Sequence, residues 1–411
     1  MADTVYDTRT AIDELEDRSF DRPPAIVCNA HITGLAVARA LADHGVPVVT
    51  LDRSPDGVAP YSEGVELAGL VTYPLDDLEA FGEELAAIAD ALEHDPVLFP
   101  CMDEWVHAVA DLDPDRIDLP FADFETVDAI LDKTSLYERA DELDVPTPET
   151  YRLDETDPDA AADELNLPLI VKPALKRRFE DAFGTNLVEV ESREEYDEIV
   201  ERARDADMRV MAQEKIPKEQ GDLYTLASYV PESGVDDAVT FVGRRRAIYP
   251  PDFGTTCLVS GTDVPEIERD ALAVLDDAGY HGISEAEFLY DARTDEYRLL
   301  DINTRPWKWI GLPIAAGANL PAAAYADATG GDYEPGVVRD ATWVYLKDYA
   351  TLLANHAVED HLSREQWRSI VAGEFERRDD LTTAVYRPSD PDPTYRLLAT
   401  EFGTREYYCP C

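Results

Sequence analysis

The chain of 411 residues contains 87 acidic and 36 basic residues, and its formal net charge of −51 disfavours binding to nucleic acids or to anionic membrane surfaces. A hydrophobic share of 45% is enough to build buried cores, and the length is typical of about two or three domains. No stretch reaches the roughly 18 apolar residues of a membrane span, and the N-terminal MADTVYDTRT lacks the basic and apolar segments of a signal peptide, so we expect a cytoplasmic protein.

The acidic excess runs along the whole chain, and lysine is scarce. This composition predicts a halophilic protein from an acidic proteome, because concentrated salt screens the repulsion between surface charges. Five cysteines at positions 28, 101, 257, 409 and 411 are too scattered for a disulfide framework, and we expect free thiols. Cys409 and Cys411 have no zinc-type spacing with other ligands, so we interpret them as part of a tail.

The first part of the chain has the pattern of a Rossmann-like domain. Residues 1–22 are polar and acidic without lasting periodicity, which predicts a flexible extension. Residues 23–53 then read as strand, helix and strand, and further patterns at 77–93, at 96–101 and from Met102 extend a parallel sheet as far as residue 125. The first strand-to-helix turn contains only Gly34, whereas a dinucleotide site needs several glycines there, so NAD binding and oxidoreductase activity are disfavoured.

Two α+β modules are predicted next. In residues 126–215, Lys133 lies near the start of the helix DKTSLYERADELDV and Lys172 ends the apolar strand LIVK, and these are followed by LVEV, a helix at 192–205 and the strand RVMAQEKI. Residues 216–335 contain the strands DLYTLASYV and AVTFVGRRRAIYP, a helix at 264–278 and a hairpin. Residues 336–411 are interpreted as a C-terminal accessory segment.

The predicted hairpin joins GISEAEFLYD to YRLLDINTRPW through the tight connection DARTDE. Because side chains alternate along a strand, Asp301, Asn303 and Arg305 share one face, and antiparallel pairing brings Glu287 opposite about Asp301. Opposed carboxylates destabilise a sheet unless a cation lies between them, and magnesium prefers such oxygen ligands. The alternative is a polar face that simply meets solvent.

The chain also contains the cations that a metal and phosphate site requires. Lys133 and Lys172 each lie at the end of an element, where a rigid support directs a cation into a cleft. An isolated lysine at such a place is commonly just solvated, but two lysines together with the acidic hairpin favour phosphate contacts.

Two further clusters admit more than one interpretation. Within residues 244–246, all arginine, strict alternation places Arg244 and Arg246 on one face and Arg245 on the other. The inward face forms a carboxylate or phosphate clamp, or the cluster pairs with surrounding acids. Trp307 and Trp309 either line an acceptor pocket or anchor the packing.

In this order and spacing, the segments resemble the ATP-grasp superfamily over about residues 120–335. The resemblance rests on DKTSLYERADELDVPTPET, LPLIVKP, MAQEKIPKEQGDLYTLASY, GISEAEFLYD and YRLLDINTRPW. GRRRAIYPPDFGTTCLVSG, GLPIAAGANLPAAAYADATGG and the preceding βαβ unit are similar to carboxylate-amine ligases and carbamoyl-phosphate-synthetase-like members, including D-aspartate-ligase-like proteins. The implied fold combines α/β and α+β parts, a Rossmann-like domain followed by two α+β subdomains that clasp ATP.

The resemblance implies a role for each matching residue. It implies that Lys133 and Lys172 contact the phosphates of ATP and that Arg305 contacts the transferred phosphate. It also implies that Asp222 contacts the ribose and that Mg²⁺ (or Mn²⁺) is bound by Glu287, Asp301 and Asn303. The adenine is then contacted by the hinge around Gln213, Glu214, Lys215 and Ile216.

Two departures from the family pattern stand out. Many relatives place a glycine-rich loop after the second lysine strand, whereas KRRFEDAFGTN contains only Gly184, so we expect Lys176 and the two arginines after it to contact phosphates instead. The metal strand carries Asp301 where glutamate is more usual, which shortens the arm of that ligand.

The implied activity is ATP-dependent ligation of a small-molecule carboxylate to an amine or a thiol through an acylphosphate, with ADP and phosphate as products. Lys172, Arg246 and Arg305 are assigned to catalysis, as cations that offset charge on the transferring phosphoryl group. A kinase-like phosphotransferase that needs no amine and an inactive ATP-binding regulatory protein are the alternatives. The substrates and the oligomeric state, with a homodimer as one option, are left open.

Overall fold

The computed structural model describes residues 5–174, 179, 182–185, 187–217, 221–251, 254–336 and 340–402. Within these residues the strands form three sheets of five, four and seven strands. The sheets follow one another along the chain, so the α/β and α+β architecture predicted from the sequence is confirmed.

The first sheet is parallel and is covered on both faces. Its spatial order is β1-β4-β3-β2-β5, and its elements are β1 (Val5–Tyr6), α1 (Thr8–Glu16), β2 (Ala25–Cys28), α2 (Ile32–Ala42), β3 (Val48–Asp52), β4 (Leu67–Leu70), α3 (Leu78–Asp90), β5 (Val97–Pro100) and α4 (Asp103–Leu112). Alternate residues of β2 enter two different cores, which explains why its sequence is apolar throughout.

The prediction that residues 1–22 form a flexible extension is wrong for residues 5–16. Strand β1 pairs with β4 in parallel, and the Asp7 side chain caps α1 by accepting a hydrogen bond from Thr10 N–H. Ala11 and Leu15, four residues apart, are both fully buried. A nine-residue helix with only two core residues is too short to give a clear period in a polar sequence.

The second sheet is antiparallel, in the order β6-β9-β7-β8, and has a core of its own. It is preceded by α5 (Phe124–Leu131) and α6 (Lys133–Glu142). Its elements are β6 (Thr150–Arg152), α7 (Pro158–Leu165), β7 (Leu169–Pro173), β8 (Val188–Val190), α8 (Arg193–Asp205) and β9 (Val210–Glu214).

The third sheet carries the predicted hairpin at one edge and has the order β14-β13-β10-β11-β12-β15-β16. Its strands are β10 (Leu223–Val230), β11 (Val239–Tyr249), β12 (Thr255–Thr262), β13 (Gly282–Asp291), β14 (Glu296–Asn303), β15 (Thr342–Val344) and β16 (Leu381–Thr383). The helices are α9 (Pro265–Asp277), α10 (Gly311–Ala316), α11 (Leu320–Ala328), α12 (Leu346–Asn355), α13 (Arg364–Ala372) and α14 (Asp392–Phe402).

Residues 340–402, the described part of the predicted C-terminal accessory segment, join the third sheet and contact the first domain. Strands β15 and β16 extend the third sheet, with β15 paired to β12. The same segment reaches the first domain, where Asp390 Oδ2 accepts a hydrogen bond from Arg39 Nε at 2.8 Å. These strands have three residues each, which is too short for a recognisable alternation.

No helix in the described part of the chain is long and apolar enough to cross a membrane.

Candidate nucleotide and metal site

The acidic hairpin has the predicted register. Glu287 of β13 lies directly opposite Asp301 of β14, and Glu285 lies opposite Asn303. The turn falls between Asp291 and Glu296, as the DARTDE connection indicated. The prediction that Glu287 and Asp301 pair across the hairpin is therefore confirmed. The two cross-strand pairs place four side chains with oxygen atoms on one face of the sheet.

The neighbouring strands place Thr225 and Gly243 beside Glu287 on this face. Thr225 of β10 pairs with Glu287 on one side and with Gly243 of β11 on the other. Thr225 is fully buried, and its hydroxyl has no hydrogen-bond partner among the residues that the structure describes. A buried polar atom is normally satisfied, so an orphaned hydroxyl beside a carboxylate is a feature expected where a ligand binds.

Arg245 contacts both glutamates of the acidic face. Its Nη2 lies 2.5 Å from Glu287 Oε1 and 3.2 Å from Glu285 Oε1. Asn303 Nδ2 donates to Glu285 Oε2 at 3.2 Å. Burial lowers the pKa of the Arg245 guanidinium, but the carboxylates of Glu287 and Glu285 raise it by a larger amount. The net pKa therefore lies above its ordinary value. The guanidinium therefore occupies the position of a cation between the acids.

Lys133 neutralises the third carboxylate. It is the first residue of α6, a helix whose N-cap Asp132 accepts hydrogen bonds from Thr134 and Ser135 N–H groups. Lys133 is 5% exposed and its ammonium forms an ion pair with Asp301. A short capped helix thus places the lysine beside β14, and its partner Asp301 lies 168 residues further along the chain.

Tyr137 connects Lys172 to β14. Lys172 Nζ donates to the Tyr137 hydroxyl, which also receives Gln213 Nε2 at 3.2 Å and donates to the carbonyl of Leu300 at 2.8 Å. Lys172 and Gln213, on the adjacent strands β7 and β9, are buried. Lys133 therefore contacts β14 directly at Asp301, whereas Lys172 is linked to β14 through the Tyr137 hydroxyl.

The predicted hinge joins the second and third sheets, because β9 ends at Glu214 and β10 begins at Leu223. Glu214 Oε2 accepts from Arg293 Nη2 at 2.6 Å, and Lys215 forms an ion pair with Glu189. Ile216 is buried, and the carbonyl of Asp222 accepts from Tyr290 N–H at 2.9 Å. Their assignment to adenine and ribose stays a prediction.

Arg305 lies against the first domain. Its Nε and Nη2 donate to the Oδ1 and Oδ2 of Asp103 at 2.6 and 3.3 Å, and its Nη1 donates to the Pro306 carbonyl at 3.0 Å. Burial lowers the pKa of Arg305, but the Asp103 carboxylate raises it more, so the net pKa is above its ordinary value. The guanidinium therefore remains charged throughout the accessible pH range.

The arginine cluster divides as alternation predicts, with Arg245 on the hairpin side and Arg246 near Arg244. Strand β11 has a register shift between Arg245 and Ala247, which makes Arg246 an extra residue in the ladder to β12. Arg244 stacks over the Tyr224 ring, 5.3 Å from its centroid. Burial and the nearby Arg244 lower the pKa of Arg246. The arginine that meets the acidic hairpin is Arg245, and a catalytic role for Arg246 stays a prediction.

The structure distinguishes the two interpretations of Trp307 and Trp309. Trp307 and Trp309 are each 2% exposed, belong to the main core and lie 5.2 Å apart between ring centroids. They anchor the packing, which was one of the two alternatives. Lys176 and the arginines after it, together with Cys409 and Cys411, lie outside the described residues.

Several residues of the site were missed in the sequence. Glu285 lies two positions before Glu287, and Tyr137 lies one helical turn after Lys133, so each shares a face with a residue that was identified. Alternation and helical spacing were sufficient signals for both. Asp103 and Arg245 are recognised only from their contacts in the folded chain.

The donor set fits a hard divalent cation in its chemistry. Glu287, Asp301 and Asn303 supply oxygen atoms on one face beside the orphaned Thr225 hydroxyl, and oxygen ligands are those that magnesium prefers. In the described residues, no group of three or more His, Cys, Asp or Glu side chains converges closely enough to hold a metal ion. The carboxylates are instead paired with Arg245 and Lys133.

One curated protein and several solved structures are similar to this chain. No protein-family model matches the chain. The D-aspartate ligase of Enterococcus faecium (strain Aus0004) is 27% identical over 216 residues, which cover 49% of this chain and 50% of that protein. The match thus spans about half the length of the curated relative.

Two solved structures are similar over most of the chain. N5-carboxyaminoimidazole synthetase from Staphylococcus aureus in complex with ADP has a TM-score of 0.63 at 14% identity, with 82% of this chain and 86% of that chain covered. The biotin carboxylase domain of the Hydrogenobacter thermophilus 2-oxoglutarate carboxylase, in complex with MgADP, ADP and bicarbonate, has a TM-score of 0.60 at 14% identity, covering 77% and 72%. At these identities the likeness shows the fold, and the predicted ATP-grasp fold is confirmed.

Proposed function

We propose that this chain, which has the ATP-grasp fold, is an ATP-dependent ligase that joins a small-molecule carboxylate to an amine and releases ADP and phosphate. The observation that carries the proposal is the acidic face of the hairpin, where Glu287, Asp301 and Asn303 lie beside Lys133 and Arg245. The sequence similarity to a D-aspartate ligase supports an amine as acceptor. The same chemistry would also join a carboxylate to a thiol, and the substrate panel described below distinguishes the two acceptors.

The reaction divides an unfavourable condensation into two displacements. A carboxylate oxygen of the substrate attacks the γ-phosphorus of ATP, the bond to the bridging oxygen of ADP breaks, and an acylphosphate forms. The amine then attacks the acyl carbon and phosphate leaves. No covalent bond to the protein is needed, so the chain contributes positioning and charge neutralisation.

Each cation of the site has a place in this scheme. Lys133 and Lys172, both buried and supported by α6 and β7, offset charge on the phosphates, and Arg305 offsets charge on the transferred group. A Mg²⁺ or Mn²⁺ ion held by Glu287, Asp301 and Asn303 would add charge neutralisation at the phosphates. Before nucleotide arrives, Arg245 and Lys133 hold these carboxylates in place, which avoids leaving buried charges unpaired.

A substrate panel tests the proposal. Purified protein in about molar KCl is given ATP, Mg²⁺, and pairs of small carboxylic acids with amino acids or thiols, and both phosphate release and product mass are followed. We expect ADP formation that depends on a carboxylate and an amine, with a product mass equal to their sum minus water. Lys172→Ala and Asp301→Asn should reduce turnover by at least about 100-fold, because each removes a charge beside the transferring group.

Asp295→Asn is the matched control, since Asp295 is an exposed carboxylate in the turn of the same hairpin. It should leave turnover unchanged. ADP formation with a carboxylate alone would indicate a phosphotransferase instead of a ligase. Nucleotide binding without turnover under any mixture would indicate a regulatory protein, and turnover that survives in both site variants would contradict the residue assignment.

A further inference from the structure

The contact between Arg305 and Asp103 joins two parts of the molecule that are distant in the chain. Arg305 follows β14 of the third sheet, whereas Asp103 is the first residue of α4 in the first domain, 202 residues earlier. The side chain of Arg305 is 16% exposed and that of Asp103 is 31% exposed. A bidentate pair of this kind fixes the plane of the guanidinium as well as its position.

The contacts of Arg305 leave one part of its guanidinium available. An arginine carries five N–H donors, one on Nε and two on each Nη. Asp103 takes one from Nε and one from Nη2, and the Pro306 carbonyl takes one from Nη1. Within the described residues, one donor on Nη1 and one on Nη2 have no recorded acceptor. Two donors of this kind can bind two oxygens of a phosphate at once.

We propose that Asp103 is a positioning residue that holds Arg305 in the orientation in which its remaining Nη1 and Nη2 donors bind the transferred phosphoryl group. The inference rests on the proposed function, in which Arg305 contacts that group. The first domain then contributes to phosphate binding, because α4 supports a residue that acts on ATP bound between the other two sheets.

The position of the pair explains why a carboxylate is required. Without Asp103, the carboxylates that remain close enough to the half-buried Arg305 to affect its pKa are Glu285 of the hairpin and Glu104 of α4. Rotation toward Glu285 would change the orientation of the two remaining donors and would occupy an acid of the acidic hairpin. Asp103 thus competes with Glu285 for the guanidinium.

The test compares Asp103→Asn with a matched control, Asp56→Asn. Asp56 also lies in the first domain and contacts an arginine of a distant segment, Arg396, at 3.1 Å, with side-chain exposures of 23% and 25%. Both variants therefore lose one contact between the first domain and the rest of the chain. Only Asp103→Asn loses the contact to Arg305.

Two readouts distinguish positioning from general support. Calorimetry gives the ratio of the dissociation constants for ADP and for a non-hydrolysable ATP analogue with Mg²⁺, and steady-state kinetics gives kcat and the KM for ATP. In Asp103→Asn we expect the preference for the ATP analogue and the kcat each to fall about 10- to 100-fold, with a smaller change in KM. In Asp56→Asn both should stay within about twofold of the parent protein. Asp103→Glu, which keeps the charge, should recover part of the loss.

The outcomes separate this inference from the proposed function. Equal behaviour of Asp103→Asn and Asp56→Asn, in a protein that turns over ATP with a carboxylate and an amine, would overturn the role of Asp103 and leave the function standing. A parent protein without nucleotide binding or turnover would overturn both. Should Asp103→Asn fail to fold by thermal melting, Arg305→Lys, which keeps the charge but not the paired donors, must show the same losses, and parent-like values there would overturn the inference.

Discussion

Asp52 is a buried carboxylate at the end of β3, where the first domain would bind a nucleotide if it were a dinucleotide-binding fold. Its Oδ2 accepts a hydrogen bond from the Ala30 N–H at 2.8 Å, and its Oδ1 accepts from the Arg53 N–H at 2.7 Å. The side chain therefore fills the turn between β2 and α2 from within. This agrees with the absence of several glycines from that turn in the sequence.

The protonation of Asp52 gives the chain a pH-dependent stability. Burial raises the pKa of Asp52 to about 6, above the ordinary value of 3.8, despite hydrogen bonds from backbone N–H groups that lower it. Between these two values the folded state binds a proton that the unfolded state has lost, so the contribution of Asp52 to stability falls as the pH rises from about 4 to about 6. The change amounts to at most about 3 kcal/mol.

Urea unfolding of the parent protein and of Asp52→Asn at pH values between about 4.5 and 7.5 measures this effect. The difference in unfolding free energy between the two should shift in favour of the variant as the pH rises, because asparagine does not ionise. A difference that is the same at both ends of the range would show that Asp52 titrates normally.

At this scale the sequence predicted residue types better than their orientation. Glu287, Asp301, Lys133 and Lys172 were identified because strand ends and alternation constrain them locally. Alternation separated Arg245 from its two neighbours, but it did not show which face of β11 meets the hairpin, because that depends on the register with β10. Alternation therefore shows which side chains share a face, whereas strand pairing decides what that face meets.

At the scale of elements, the long strands and amphipathic helices followed their periodicity. The strand GISEAEFLYD was predicted with the bounds that β13 has, and the helix predicted at 264–278 exceeds α9 by one residue at each end. The elements that were missed, such as α1, β15 and β16, are short and draw their stability from the sheets that they join. Local propensity predicts such short elements poorly, because tertiary contacts determine whether they form.

Strand β11 provides a test of how tightly the face above the hairpin is packed. A Cβ at Gly243 would lie 2.8 Å from Cη2 of Trp309, a ring that is only 2% exposed. Gly243→Ala should therefore lower the free energy of unfolding by about 1–3 kcal/mol, because the indole has to move inside a packed core. Chemical denaturation measures the loss.

Gly311→Ala is the control for this substitution. Gly311 is the first residue of α10, and a Cβ there would meet Trp343 at an ordinary 3.5 Å. The variant should stay within about 0.5 kcal/mol of the parent protein. Equal losses in the two variants would show that the Gly243 site is no more crowded than an ordinary helix start.

For the whole molecule, the net charge of −51 predicts a dependence on salt. Repulsion among surface carboxylates opposes the compact state, and the Debye length falls from about 10 Å at 0.1 M to about 3 Å at 1 M salt. Raising KCl from about 0.1 to 2 M should raise the midpoint of thermal unfolding by at least about 5 °C. A midpoint that does not change over this range would contradict the prediction of a halophilic protein.

Sucrose at matched osmolality is the control, because it favours compact states without screening charge. The increase with KCl should exceed the increase with sucrose. If the two are equal, preferential exclusion from the surface explains the effect and the charges do not.

The order of domains along the chain was predictable, but their contacts were not. The five-stranded, four-stranded and seven-stranded sheets appear in sequence in the predicted order. Pairs such as Arg305 with Asp103 and Lys133 with Asp301 bridge 202 and 168 residues. No periodicity in one sequence reports contacts over such separations, because they depend on how whole sheets dock.

Asp390 has a consequence for biosynthesis. Its carboxylate accepts hydrogen bonds from Arg39, Ser62 and Glu63, yet it follows Arg39 by 351 residues. On the ribosome the first domain therefore emerges with a cation whose buried partner has not been translated. The domain can complete its own sheet at that stage, whereas its final docking has to wait until the segment with β15 and β16 has been made.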